Sequence, residues 1–356
     1  MVCRVMSQNR LTLARRIELA IGRKLFRLPP RVQLALSRHA AITRDGASLH
    51  PEMQLLLAVS RQIDALTTLS HPSVAIARQY MLERTARFNG AGPEVAGTRD
   101  FQIVTPEATL PARHYLPQAH GAAPALLVYF HGGGFALGSL ETHDHLCRAL
   151  CHSAHIQVLS VEYRKAPECP YPAATNDALA AFRYAQAQAA ALGADPARVA
   201  VGGDSAGANL ATYVARRSRS ERPPYAQILI YPVTNRDMNT ESRRLFDRGF
   251  FLTRADIEYF DRCYVGEQAN DDPDVSPLLD PDLRGLCPAL LVTAEFDPLR
   301  DEGEAYARAL TSAGNSVDFW REPGLMHGYV HSALISPAAE QALERLVTRA
   351  SRLLNR

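Results

Sequence analysis

The stretch Val199-Ala-Val-Gly-Gly-Asp-Ser-Ala-Gly-Ala-Asn-Leu210 decides how the rest of the chain is read. Its first residues are apolar and β-prone, as in a strand buried on both faces, and its last are helix formers. Between them Gly203-Asp-Ser-Ala-Gly207 matches Gly-x-Ser-x-Gly in the strand-to-helix setting that motif requires. A side chain placed on so sharp a turn has a strained backbone, and a Cβ at either flanking position would strike the neighbouring strand or helix, hence the glycines. The turn lifts the Ser205 oxygen clear. The helix that begins there aims backbone N–H groups and its positive dipole end at the same point. A glycine-rich turn without chemistry is the plain alternative, and the strand and helix on either side argue against it.

A serine hydroxyl at neutral pH needs a base, the base needs an orienting acid, and the charge that develops on an attacked carbonyl needs donors already in place. All three have candidates. After the apolar run Leu126–Phe130 comes His131-Gly-Gly-Gly-Phe135, whose glycines let the backbone approach a substrate closely. The N–H groups of Gly132, Gly133 and Ala206 are the expected oxyanion-hole donors. A phosphate cradle is disfavoured, because no Gly-Lys-Ser/Thr follows and the spacing is not G-x-G-x-x-G. Downstream, Asp297 stands just past a β-rich run in Leu291-Val-Thr-Ala-Glu-Phe-Asp-Pro. Glu295, Asp301 and Glu302 are its rivals, the last two better placed to favour the start of the next helix. His327, in Gly324-Leu-Met-His-Gly-Tyr329, alone among the twelve histidines combines a loop after a strand, a flanking glycine and the right place in the order Ser, Asp, His. Ser205, Asp297 and His327 are therefore the expected catalytic triad.

Working outward, short β-rich runs alternate with helical stretches after Asp100: Phe101–Val104, Ala125–Phe130, Ile156–Tyr163, Val199–Gly202, Gln227–Tyr231, Ala289–Thr293 and Ser316–Trp320. That alternation predicts an α/β fold, a mostly parallel central sheet flanked by helices. The first 95 residues read as helical and strandless. A basic amphipathic helix over Leu11–Leu28 is stopped by Pro29-Pro30, and helices follow around Met53–Leu69 and Val74–Phe88. The gap from Tyr231 to Ala289 is too long for one crossover and carries a helical stretch, Arg254–Val265, so it reads as an insertion packing on the N-terminal helices.

The 356 residues carry 39 Lys+Arg against 37 Asp+Glu, a charge of +2 that gives nucleic acid no footprint. No apolar run reaches the roughly 18 residues of a membrane span, and the N-terminus lacks the apolar core of a secretory signal. The expectation is a cytoplasmic protein with no transmembrane segment. Its six scattered cysteines suit free thiols better than disulfides.

Five ordered motifs, His131-Gly-Gly-Gly-Phe, Tyr163-Arg-Lys-Ala-Pro-Glu168-Cys-Pro-Tyr-Pro, Gly203-Asp-Ser-Ala-Gly207, Asp297-Pro-Leu-Arg-Asp-Glu302 and Met326-His-Gly-Tyr329, resemble the hormone-sensitive-lipase-like (bacterial family IV) carboxylesterases of the α/β-hydrolase fold. The likeness runs from about Leu28 to the C-terminus. It implies a serine esterase that hydrolyses short- to medium-chain acyl esters through an acyl-enzyme, with the same triad and oxyanion donors. It implies braces at Tyr163, Arg164 and Glu168, and a cap over the site. The division would be 1–95 as N-terminal helical cap segment, 96–235 and 273–356 as the two parts of the hydrolase core, and 236–272 as cap insertion. The one departure is the long basic extension, Met1 to about Arg27.

No cofactor and no metal are expected. His143, His145, Cys147, Cys151, His152 and His155 crowd one stretch, but on a helix the one-face series from His143 to His155 spans roughly 18 Å, too far to share an ion. His143 is left with a place in the pocket wall or on the surface. Eight basic residues against Glu18 in residues 1–31 open peripheral membrane contact as a role for the extension, beside the favoured role as part of the cap. A homodimer is left open. Two rival functions use the same fold: a catalytically inactive small-molecule receptor, disfavoured by the intact His327 loop, and an amidase, lactonase or deacetylase with the same triad.

Overall fold

The computed structural model describes residues 20–63, 69–89, 92–118, 123–266 and 271–356. Eight strands form one sheet: β3 (Gly97–Val104), β4 (Thr109–Leu116), β5 (Leu126–Phe130), β6 (Gln157–Val161), β7 (Val199–Asp204), β8 (Gln227–Ile230), β9 (Ala289–Phe296) and β10 (Val317–Met326). Their order across the sheet is β10-β9-β8-β7-β5-β6-β4-β3, antiparallel only where β4 meets β3 and β6. The sheet is mostly parallel, as the alternation predicts. β5, β6 and β7 are buried along their whole length, because helices cover both faces and leave no face for polar side chains.

Near the N-terminal end of the chain, four strands depart from the sequence reading. β4 is not among the expected strands: Pro111 interrupts Thr-Leu-Pro-Ala-Arg-His-Tyr-Leu, and proline lacks a ladder donor. It is tolerated here beside β3, the outermost strand, while the Pro111 carbonyl still accepts from the Glu162 N–H at 2.9 Å. β3 begins four residues earlier than expected, in a polar and mostly exposed segment typical of a sheet edge. The first 95 residues are not strandless, for Thr43–Arg44 (β1) and Ala47–Ser48 (β2) form a small hairpin around Asp45-Gly46.

The chain leaves β5 for β6 on one side and returns to β7 on the other, so the connections diverge between β5 and β7. At such a switch point the two following loops cannot cover each other, and a crevice opens at the carboxyl ends of the strands. The glycine loop follows β5 and Ser205 follows β7. Above this crevice lie the helices Pro51–Ile63, Val74–Asn89 and Arg254–Tyr264. The N-terminal segment and the insertion meet in an apolar cluster containing Ala77, Leu252, Ile257 and Phe260, which also takes in Ala136 and Leu137 beside the glycine loop.

The expected basic helix lies largely outside the described residues. Its described end, 20–25, is helical and runs against the C-terminal loop, where Arg23 Nε donates to the Leu334 carbonyl at 2.9 Å. Phe26 is buried, but Ile21 is 61% exposed, so the apolar stripe is not continuous at that end. None of residues 20–28 lines the pocket described below. Among the described residues no helix is long and apolar enough to cross a membrane.

Candidate active site

β7 runs straight into the helix Ala206–Arg217 with one residue between them, Ser205, at φ 55°, ψ −118°. That left-handed backbone is costly for a serine and is held by its neighbours: the Ser205 N–H donates to the Ile230 carbonyl at 2.9 Å. The flanking glycines are sterically required. A Cβ at Gly203 would lie 2.4 Å from the Phe130 oxygen, and one at Gly207 would lie 1.9 Å from it. Both obstacles are backbone of a central strand and cannot step aside. Gly207→Ala is accordingly expected to lower stability by at least about 3 kcal/mol, the upper end of overpacking costs, measured as the shift of the thermal melt or the loss of soluble protein.

His327 follows the last residue of β10. Its Nε2 lies 3.0 Å from Ser205 Oγ and its Nδ1 2.7 Å from Asp297 Oδ2. Asp297 is fully buried, and its second oxygen accepts the Leu299 N–H at 2.8 Å. A carboxylate can only accept, so Nδ1 carries the proton and Nε2 presents its lone pair to the serine hydroxyl. Histidine and acid thus stand in line with the nucleophile.

The rival acids are occupied elsewhere. Glu295 accepts the Gly324 N–H at 2.7 Å and so holds the loop that leads to His327. Asp301 accepts the Ser242 N–H at 2.7 Å. Glu302 does more than favour a helix start: it is fully buried, pairs with Arg243 at 2.6 Å and accepts the Thr234 and Asn235 N–H groups, fixing the loop after β8. Burial, partly offset by Arg243, raises its carboxyl above the ordinary value.

One expected oxyanion donor is displaced. The Gly132 N–H donates to Asp204 Oδ1 at 2.9 Å, and Gly132 does not line the pocket. Gly133 and Gly134, with φ of 122° and 60°, do line it. Each needs its glycine, since a Cβ at Gly134 would lie 2.2 Å from the Phe260 ring. The reason is the carboxylate immediately before the nucleophile, which draws the first N–H of the loop to itself. Asp204 also accepts from the Tyr129 hydroxyl at 2.7 Å. Burial would raise its carboxyl, but His143 and His331 beside it outweigh burial and hold it well below the usual range. Ala206 stands at the first turn of its helix, where backbone N–H groups have no helical acceptor.

His143 is neither pocket wall nor surface: it is fully buried behind the elbow, against Asp204. Cys147 and Cys151 of the crowded stretch belong to the apolar core. The Tyr163 hydroxyl donates to the His131 carbonyl at 2.8 Å, and Arg164 pairs with Asp177 at 2.7 Å. Glu168 pairs with Arg78 of the overlying helix at 2.7 Å, and Arg78 also donates to the carbonyls of Ala136 and Ala166. These bonds tie the loops, and the helix above them, to the site.

Over Ser205 lies a cavity of about 110 Å³. Met53, Leu56 and Met81 line it from the N-terminal helices, Phe251, Leu252 and Phe260 from the insertion. Of the other insertion aromatics, Phe250 packs on Phe296 in the core, and Tyr264 stacks on Phe135 with centroids 3.9 Å apart. An ester entering this cavity would meet a hydroxyl hydrogen-bonded to a base, backbone donors on its carbonyl side, and apolar walls.

A family model described as alpha/beta hydrolase fold matches residues 127–331. Over 314 residues the chain is 44% identical to carboxylic ester hydrolase LipN of Mycobacterium tuberculosis, covering 85% of this chain and 83% of that one. Over 278 residues it is 38% identical to ethyl acetate hydrolase of Pseudomonas putida, covering 76% and 87%. Among solved structures it is similar to an ester hydrolase, EH1AB1, from the metagenome of Lake Arreo, solved with a derivative of bipyridine phosphonate. The TM-score is 0.83 at 36% identity, over 86% of this chain and all of that one. A switch-point crevice, a serine on a strained strand-to-helix turn and relatives of this identity and coverage lead to one conclusion: the chain belongs to the hormone-sensitive-lipase-like carboxylic ester hydrolases of the α/β-hydrolase fold.

Proposed function

We propose that this enzyme hydrolyses carboxylic esters of short to medium acyl length, with Ser205 as nucleophile, His327 as general base and acid, and Asp297 as the group that orients and stabilises the imidazole. The observation that carries the reading is the unbroken relay from Asp297 Oδ2 through His327 to Ser205 Oγ, at 2.7 and 3.0 Å. As Ser205 Oγ attacks the ester carbon, its proton passes to His327 Nε2 and the carbonyl electrons move onto oxygen. The N–H groups of Gly133, Gly134 and Ala206 receive that charge. The tetrahedral species collapses, His327 gives the proton to the departing alkoxide, and an acyl-serine remains. Water, deprotonated by the same histidine, then releases the acid and restores the hydroxyl.

The cap reading accounts for selectivity. Residues of the two N-terminal helices and of the insertion close the cavity with methionine, leucine and phenylalanine side chains, which suits a chain of a few carbons and excludes water. The printed name of one relative, ethyl acetate hydrolase, points the same way. A series of p-nitrophenyl esters tests it: kcat/KM is expected to peak at roughly two to eight acyl carbons, a range resting on the family resemblance and on a small apolar pocket. A preference for long-chain triglycerides with activation at an oil interface would contradict it. The receptor reading has no support in the site, where the histidine a receptor would not need is in register with serine and acid. A cytoplasmic location belongs to the same proposal, supported by the five described cysteines, all free thiols.

A further inference from the structure

The Gly134 N–H can receive oxyanion charge only if its peptide unit is held at one angle. In a trans peptide the carbonyl and the N–H point in opposite directions, so whatever grips the Gly133 carbonyl aims the Gly134 N–H. Two donors grip it: the Ala136 N–H at 3.1 Å and the Leu137 N–H at 2.8 Å. Each is the far end of a further peptide unit whose carbonyl is also held. The Phe135 carbonyl, opposite the Ala136 N–H, accepts the Ala166 N–H at 2.9 Å. The Ala136 carbonyl, opposite the Leu137 N–H, accepts from Arg78 Nε at 2.8 Å.

Both routes lead back to one side chain. Arg78 Nη2 donates to the Ala166 carbonyl at 2.9 Å, while Nη1 and Nη2 meet the two Glu168 oxygens at 2.8 and 2.7 Å. One planar fork thus serves two carbonyls and a carboxylate at once, which an ammonium could not do. The Glu168 side chain is 56% exposed, so the ion pair adds little stability, and what it supplies is a fixed orientation for the fork. The loop needs a hold from outside itself, because Phe135 sits at φ 60°, a left-handed backbone unfavourable for so large a residue. The Gly133 N–H, by contrast, is set within the core: the Gly132 carbonyl opposite it accepts from His131 Nδ1 at 3.0 Å. Arg78 does not itself line the cavity, but its helix, Val74–Asn89, does so one and two turns further on through Met81 and Thr85.

We infer that Arg78 is a positioning residue for ester hydrolysis: through hydrogen-bonded peptide units it aims the Gly134 N–H at the oxyanion, and so makes the oxyanion hole depend on the cap helix above it. The inference rests on the serine mechanism proposed above and goes beyond it, since a side chain outside both cavity and triad is to govern kcat. Hydrogen bonds linked head to tail also polarise one another, so a guanidinium at the head of the chain makes the Gly134 N–H a stronger donor.

The test compares two ketones of one chain length, an alkyl methyl ketone and its trifluoromethyl analogue, as inhibitors of the full-length enzyme. The trifluoromethyl ketone takes Ser205 Oγ onto its carbonyl carbon; the hydroxyl proton passes to His327 Nε2 and the carbonyl electron pair becomes an oxyanion in the hole. The methyl ketone binds without that bond. Arg78→Ala is expected to lower kcat for p-nitrophenyl butyrate about 10- to 100-fold, short of the about 10²–10³ that removing a donor outright costs. KM and methyl ketone inhibition should stay within about threefold, while the trifluoromethyl ketone weakens by the same factor as kcat/KM. Arg78→Lys, which keeps the charge without the fork, should fall between wild type and Arg78→Ala. Glu168→Gln, whose amide oxygen still accepts from the fork, should lose less than about threefold. Circular dichroism reads folding, and if Arg78→Ala does not fold, Arg78→Lys is read with the same pair of ketones. A loss confined to KM, equal weakening of both ketones, or a kcat for Arg78→Ala within about twofold of wild type would overturn the inference. A wild-type protein that binds the fluorinated ketone no better than the methyl ketone would instead overturn the serine mechanism on which it rests.

Discussion

Ser205→Ala is expected to lower kcat by about 10⁶-fold, a loss of about 8 kcal/mol of transition-state stabilisation, while the protein stays folded. The size follows from the chemistry: without Oγ no acyl-enzyme forms, and what survives is the oxyanion donors and the pocket acting on water. The folded state should hardly notice. Ser205 is 9% exposed and opens onto the cavity, so removing one oxygen creates no void in the core. Alanine inherits the same positive φ, and the one bond lost, to His327, is worth about 1 kcal/mol. Steady-state rates with a short-chain p-nitrophenyl ester, paired with a thermal melt, read both sides. Activity within about tenfold of wild type would mean that another group attacks the ester.

Asp297→Asn is expected to cost about 10⁴-fold in kcat with little change in substrate binding. The structure decides which way the new amide turns. Asp297 Oδ1 accepts the Leu299 N–H, and an amide NH₂ placed there would face that N–H donor to donor. The Asn oxygen therefore stays with Leu299, and its NH₂ faces His327 Nδ1. The imidazole must then accept at Nδ1 and carry its proton on Nε2, where it can no longer take the serine proton. Glu295→Gln is the matched control: its amide oxygen can keep the Gly324 N–H, so the expected loss is less than about tenfold. Equal losses in the two variants would assign the acid wrongly.

What could be read in the sequence was whatever depends on local pattern and chain order. The elbow is legible because strain demands Gly203 and Gly207 and because strand and helix have different periodicities. Asp297 and His327 are found by their order after Ser205 and their places just past strands. What escaped depends on contacts between distant segments. Gly132 looks as available as Gly133, and only the fold shows Asp204, 72 positions away, taking its N–H. The available signal is Asp204 itself, a carboxylate standing directly before the serine. Glu302 resembles an ordinary acidic residue in a first helical turn, but Arg243, 59 positions away, makes it a buried brace. Pro111 hid β4 because its tolerance depends on lying near the sheet edge, which is a property of the assembled sheet. The pattern around His143 suits a wall or surface residue equally, and the packing of its helix on the sheet puts it in neither place.

The most direct test of the central claim is covalent labelling with a small organophosphate, followed by mass spectrometry of the digested protein. A phosphoryl group is taken up by a serine only where a base has activated it and donors receive the oxyanion, so the label reports the whole site and not the serine alone. The account predicts one adduct per chain, on Ser205, with activity lost in proportion to labelling and chelator without effect on the rate of either. An adduct on any other residue, or full activity after Ser205 is labelled, would contradict it.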